Sequence, residues 1–165
     1  MTATISEGRW VAALREMTKQ AAGGNADIVW GKALGPKPRF FMVGDEPVAK
    51  DYIVGSPFSG GLNGVLVSAI QTIAAKYGAK TEDCYITYVV KTSFRHGELP
   101  EQKVFDDWLP ILQVEFQLSG CTEVVAIGKL ARTLAGHIAV RPAIMGAVGP
   151  SILHRFKRAW EAFRG

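Results

Sequence analysis

The chain has 165 residues, 48% of them apolar and 21% charged, with a net charge of +4 and a pI near 9.2. That length suits one compact domain over residues 1–165, and the evenly spread charge excludes a disordered or repeat-built chain. No apolar stretch reaches the roughly 20 residues that span a bilayer, and Glu7 and Arg9 stand where a secretion signal needs an apolar run, so a cytoplasmic protein without membrane contact is expected.

Cys84 and Cys121 lie in apolar stretches, as buried reduced thiols do, and are too few to hold an iron–sulfur cluster. His96, His137 and His154 stand far apart in sequence, so neither a metal nor another cofactor is expected.

In chain order, Trp10, Ala13, Leu14 and Met17 share one helical face, which predicts a packing helix from about Ile5 to Ala22 within residues 1–24. Arg39 to Val43 reads as a buried strand ended by Gly44, and the loop Gly55 to Gly64 leads into a helix from Val65 to Tyr77. The β-branched and aromatic run Cys84 to Val90 has the composition of a central parallel strand. A polar loop, Lys91 to Pro100, precedes a long helix from about Glu101 to Leu118, with Phe105, Trp108, Leu109, Leu112 and Phe116 on one side. Val124 to Gly128 gives a third strand, Lys129 to Leu134 a short helix closed by Gly136, and Ile138 to Val148 contains a last strand. This alternation predicts an α/β fold, a three-layer α/β/α arrangement around a central four-stranded parallel sheet.

In such a sheet ligands bind at the carboxyl ends of the strands. There Asp45 and Glu46 follow a buried strand, fixed between Gly44 and Pro47, as a general base, a fixed negative charge, or simply a cap on a helix. Phe58 sits among glycines as a stacking face for a base or as a loop anchor. The terminal segment carries Arg155, Lys157, Arg158 and Arg164, a solvated helix face or a phosphate contact in equal measure. Phosphate loops, dinucleotide fingerprints and nucleophile elbows are absent.

Taken together, these segments resemble the uracil-DNA glycosylase superfamily, in particular its family-four and phage-polymerase-related branch. Val43-Gly44-Asp45-Glu46-Pro47 resembles the first motif, Gly55-Ser56-Pro57-Phe58-Ser59-Gly60 the segment bearing the base-stacking Phe, and Tyr85-Ile86-Thr87-Tyr88-Val89-Val90-Lys91 the Tyr-Ile-Thr-Asn-Val-Val-Lys strand. Val124 to Lys129 is similar to the Val-Ala-Leu-Gly strand, and Pro150-Ser151-Ile152-Leu153-His154-Arg155 to the late His-Pro-Ser motif. The resemblance spans about residues 38 to 163.

It implies a monomeric DNA glycosylase acting on duplex or single-stranded DNA. A base is flipped out, stacked on Phe58 and held by Gly44, Pro47, Val48 and Tyr88, while Asp45 or Glu46 stabilises the cationic sugar. By position Asp45 matches the family-four acid and Glu46 the aspartate of family one, so both stay candidates. Lys91, Pro150, Ser151, Ile152, Leu153, His154, Arg155 and Lys157 are the implied DNA contacts, although Lys91 reads also as a mere strand end and Pro150-Ser151 equally as a helix start.

Three departures accompany the matches. Tyr88 replaces the asparagine that pairs with uracil, Gly149 replaces the histidine that meets the leaving base, and the four cluster cysteines of family four are missing. Val48 follows Pro47 where family one has a methyl-blocking tyrosine, which points to a 5-substituted pyrimidine. The alternative is a catalytically silent nucleic-acid or partner-binding module of the same fold.

Overall fold

The computed structural model describes residues 5–23, 27–60, 63–92 and 103–139. The amino-terminal amphipathic stretch forms α1, Ile5–Ala21, with Met17 only 2% exposed and Ala13 and Leu14 packed beside it. There follow β1 (Lys32–Ala33), β2 (Phe40–Gly44), the short helix α2 (Ala49–Val54) and α3 (Asn63–Tyr77). Beyond them come β3 (Cys84–Tyr88), α4 (Leu109–Ser119), β4 (Glu123–Ile127) and α5 (Lys129–Ile138).

The four strands lie in the order β1-β3-β2-β4. β2 pairs in parallel with β3 and with β4, placing Gly44 opposite both Tyr88 and Ile127. The expected α/β class holds, but the sheet is mixed and not parallel throughout, because β1 runs antiparallel to β3 with Lys32 opposite Ile86. Two exposed residues between Gly31 and Gly35 carry no periodicity from which an edge strand is legible. The fourth strand expected within 138–148 is not part of this sheet as described: Ile138 closes α5, and residues 140–148 lie outside the described residues.

Side chains alternate across a strand, so β2 feeds two cores. Phe41 and Val43 join Met17, Trp108, Leu112, Ala131 and Leu134, the inner faces of α1, α4 and α5. Phe40 and Met42 join Phe58, Leu66 and Ile73 on the other side, under α3. Each fully buried phenylalanine contributes about 1.5–3 kcal/mol through burial alone.

Among the described residues, the long helix expected from Glu101 to Leu118 holds a wide π turn, Val104–Trp108, between the helical Lys103 and α4. Pro110 supplies the reason: it has no N–H to give, and its ring crowds the carbonyl four residues back. The turn therefore widens, and the Leu109 N–H reaches Val104 five residues back. Trp108, Ile111 and Leu112 are completely buried beyond it. Among the described residues no helix is long and apolar enough to cross a membrane.

The two cores also locate a crevice. The chain leaving β2 continues into α3 on one face, whereas the chain leaving β4 enters α5 on the other. Adjacent parallel strands whose connections part in this way leave a gap beyond their carboxyl ends, where ligands of open α/β sheets bind.

Candidate active site

Gly44 ends β2, and Asp45 and Glu46 follow it at this crevice. The backbone there is tied to the neighbouring strand: the Val89 N–H donates to the Gly44 carbonyl at 2.8 Å and the Val90 N–H to that of Asp45 at 3.1 Å. Val89 and Val90, expected within the strand, thus lie past its end and anchor the acidic loop.

Across the crevice, β4 ends at Gly128, the N-cap residue of α5, with φ +124°. A Cβ on Gly128 would lie 2.5 Å from Asp45 Oδ1, so only glycine lets the two strand ends approach this closely. Lacking a side chain, Gly128 cannot cap its own helix, and Asp45 does so from 86 residues away: Oδ1 accepts the Ala131 N–H at 2.8 Å. Asp45 is therefore a cap, on a helix remote in sequence, and one of its oxygens is committed to that bond. Glu46 is half-buried and makes no hydrogen bond or ion pair among the described residues. Pro47 is buried, and Val48 is 38% exposed at the N-cap of α2.

The aromatic half of the site is organised by Asp51, which the sequence alone did not single out. Its carboxylate is completely buried and accepts three bonds: from the Val48 N–H at 2.9 Å, the Ser59 N–H at 2.8 Å and the Tyr88 hydroxyl at 2.7 Å. Three donors offset the cost of burying a carboxylate. The available signal was local: an acid three residues after Val48 reaches back to the N-cap N–H, one half of a capping box.

Phe58 adopts φ +57°, unusual for an aromatic residue, and is 2% exposed. Its N–H donates to the Tyr88 hydroxyl at 2.9 Å, and its ring packs on the Tyr88 ring with centroids 4.9 Å apart, tilted by 34°. Gly44 completes the contact, since a Cβ there would sit 2.8 Å from Phe58 Cζ and 3.0 Å from two Tyr88 ring atoms. Burial, then the hydrogen bond to Asp51, holds the Tyr88 phenol well above its usual pKa, so it remains a donor at neutral pH.

Lys91 is buried in the described structure. It is 1% exposed, 2.8 Å from Glu115 Oε1, and also donates to Thr87 and to the Tyr88 carbonyl. Its ammonium thus faces the interior. Glu115 additionally accepts from the Tyr85 and Thr87 hydroxyls, which satisfies a second buried carboxylate. A cavity of about 580 Å³ borders this cluster between α1, Trp30 and Tyr85, and its lining includes none of Asp45, Glu46, Phe58 or Tyr88. The crevice, where the anchored carboxylates and aromatics converge, is the better candidate site.

Among the described residues no three His, Cys, Asp or Glu side chains are grouped to hold a metal ion. Gly149, Pro150, Ser151, Ile152, Leu153, His154, Arg155 and Lys157 lie outside the described residues. Asp45, Glu46, Gly44, Pro47, Val48, Phe58 and Tyr88 fall at the carboxyl ends of the two central strands, in the segments after β2 and at the end of β3.

No curated protein matches the chain. The family model of the uracil DNA glycosylase superfamily matches residues 32–164, which takes in every strand among the described residues and the residues placed at this crevice, and the chain belongs to that superfamily.

Proposed function

We propose that the protein is a DNA glycosylase that hydrolyses the N-glycosidic bond of a flipped-out pyrimidine, with a 5-substituted base as substrate. The observation that carries this reading is the carboxylate pair at the crevice: Asp45 fixed by the Ala131 N–H, and Glu46 beside it without a partner among the described residues. An anchored charge needs no reorganisation when a cationic sugar forms, which makes it effective in stabilising that state. The C1′–N bond breaks with its electron pair leaving on the base as an anion, and water adds its oxygen to C1′ while its proton passes through a crevice carboxylate to that base. Glu46 is the group free to orient that water. The exposed position of Val48 supports room for a substituent on the pyrimidine's fifth carbon.

The test is incubation with DNA carrying uracil, 5-hydroxymethyluracil or glucosylated hydroxymethylcytosine, followed by alkali. Strand breaks at a 5-substituted base that vanish in Asp45→Asn with Glu46→Gln support the proposal. Cleavage of uracil alone removes the 5-substituted substrate, and cleavage of no base removes the enzyme.

A second reading, a silent DNA-binding module, is favoured by one observation. The Tyr88 ring covers the face of Phe58 on which a base would stack. DNA binding that weakens with salt, without base release, would establish it.

A further inference from the structure

We infer that the cavity of about 580 Å³ between α1, Trp30 and Tyr85 is a second binding site, one that takes a nucleoside 5′-monophosphate, free or at the 5′ end of a DNA strand. Its lining includes none of Asp45, Glu46, Phe58 or Tyr88, so the inference stands apart from the glycosylase reading.

One wall is a face of α1, on which Val11, Leu14, Arg15, Thr18 and Lys19 recur at helical spacing. Val11 and Leu14, with Leu118 of α4, make the lining apolar, while Arg15 and Lys19 are exposed and lie one helical turn apart. Trp30 is 36% exposed and brings an indole to the same cavity. Gly31 makes that placement possible. A Cβ on Gly31 would lie 2.7 Å from Thr87 Oγ1 and 2.8 Å from Tyr85 Oη and would strike the Glu115 carboxylate, so only glycine lets this segment pass over the buried ion pair.

The hydrogen-bonding groups decide what fits. Lys91 commits its three N–H donors to Glu115, Thr87 and the Tyr88 carbonyl, and the Tyr85 hydroxyl donates to Glu115. Thr18 and Ser119 donate to the carbonyls of Leu14 and Phe116. Glu115, the one carboxylate of the lining, is therefore matched already, and this part of the wall is neutral and satisfied. Left over are the Arg15 guanidinium, the Lys19 ammonium and the Trp30 indole N–H, without hydrogen-bond or ion-pair partners among the described residues. Each is a donor, and two are cations.

Such a set repels a cation and favours an anion with a flat apolar body. A phosphate monoester, close to a dianion at neutral pH, matches both cations at once, and arginine binds it through two parallel N–H bonds. A nucleobase supplies the flat body, since aromatic side chains stack bases with little dependence on which base is present. The volume lies within the roughly 300–1,000 Å³ of small-molecule sites.

The probe is thymidine 5′-monophosphate, titrated into the full chain and followed through the Trp30 indole N–H and the α1 amide resonances. Saturable shifts are expected there, and thymidine without its phosphate should bind at least about tenfold more weakly. Arg15→Gln with Lys19→Gln, and separately Trp30→Leu, should each weaken the nucleotide by about tenfold or more. Should Trp30→Leu not fold, the Arg15 and Lys19 variant, altered only at exposed side chains, decides. Displacement of the nucleotide by a 5′-phosphorylated oligonucleotide, and not by its 5′-hydroxyl counterpart, supports the site as one for strand ends. Displacement by neither supports it as one for the free nucleotide. No shift at Trp30, shifts confined to Gly44, Asp45 and their neighbours, or binding unchanged by loss of both cations overturns the inference. Binding here by a protein that cuts no DNA leaves it standing while the glycosylase falls, and base release without binding here does the reverse.

Discussion

At the residue scale the cap that Asp45 places on α5 needs only an oxygen, whereas the catalytic role proposed for it needs a charge. Asn caps helices about as well as Asp, so Asp45→Asn should keep the Ala131 bond and change stability by less than about 0.5 kcal/mol in urea unfolding, while base release falls. Asp45→Ala should lose both, at a cost of about 1–2 kcal/mol. Gly128→Ala should destabilise by about 1–3 kcal/mol, because it combines an unfavourable φ with a clash on the carboxylate. Asp51→Ala should be the most damaging change at the site, since three buried donors lose their acceptor together. Of these residues, Asp45 and Phe58 stood out in the sequence because strand, glycine and proline frame them. Asp51 did not, because a six-residue helix gives too short a period to reveal it, and its weight comes from Ser59 beyond the helix and from Tyr88, 37 residues away.

At the element scale, the segment after β3 and the helix α4 are joined by the Lys91–Glu115 pair, both partners at most 2% exposed. Lys91→Met should cost about 3–5 kcal/mol, because it leaves an uncompensated buried carboxylate. If the protein binds DNA, the dependence of affinity on salt should stay as in the wild type, whereas loss of a genuine phosphate contact lowers the slope by about 0.9. Equilibrium unfolding and binding at several salt concentrations check the two parts. The helix α4 and the strand β3 were legible from composition, but their ends were not. Pro110 widens the turn ahead of α4 through backbone sterics, and Val89 and Val90 leave the ladder to bind the Gly44 and Asp45 carbonyls.

At the scale of the whole molecule, two cores enclose one thiol each, Cys84 at 0% and Cys121 at 7% exposure. Burial, then the nearby Asp83 charge, pushes Cys84 up to about 11 from 9.0. The unfolded chain releases that proton first, so stability is unaffected below pH 9.0 and falls as pH rises from there towards 11. The urea midpoint should drop across this window, less so in Cys84→Ala, and neither thiol should react with a disulfide reagent in the native protein near pH 8. The sequence by itself determined the α/β alternation, the buried strands and the positions of Asp45, Glu46 and Phe58, because periodicity and turn residues act locally. Only the tertiary structure decided the antiparallel edge, the burial of Lys91, the capping of α5 by Asp45 and the closing of the Phe58 face by Tyr88. Each depends on groups brought together from 30 or more residues apart, or on a neighbour in another element, and no local pattern in a chain encodes which distant group will meet it.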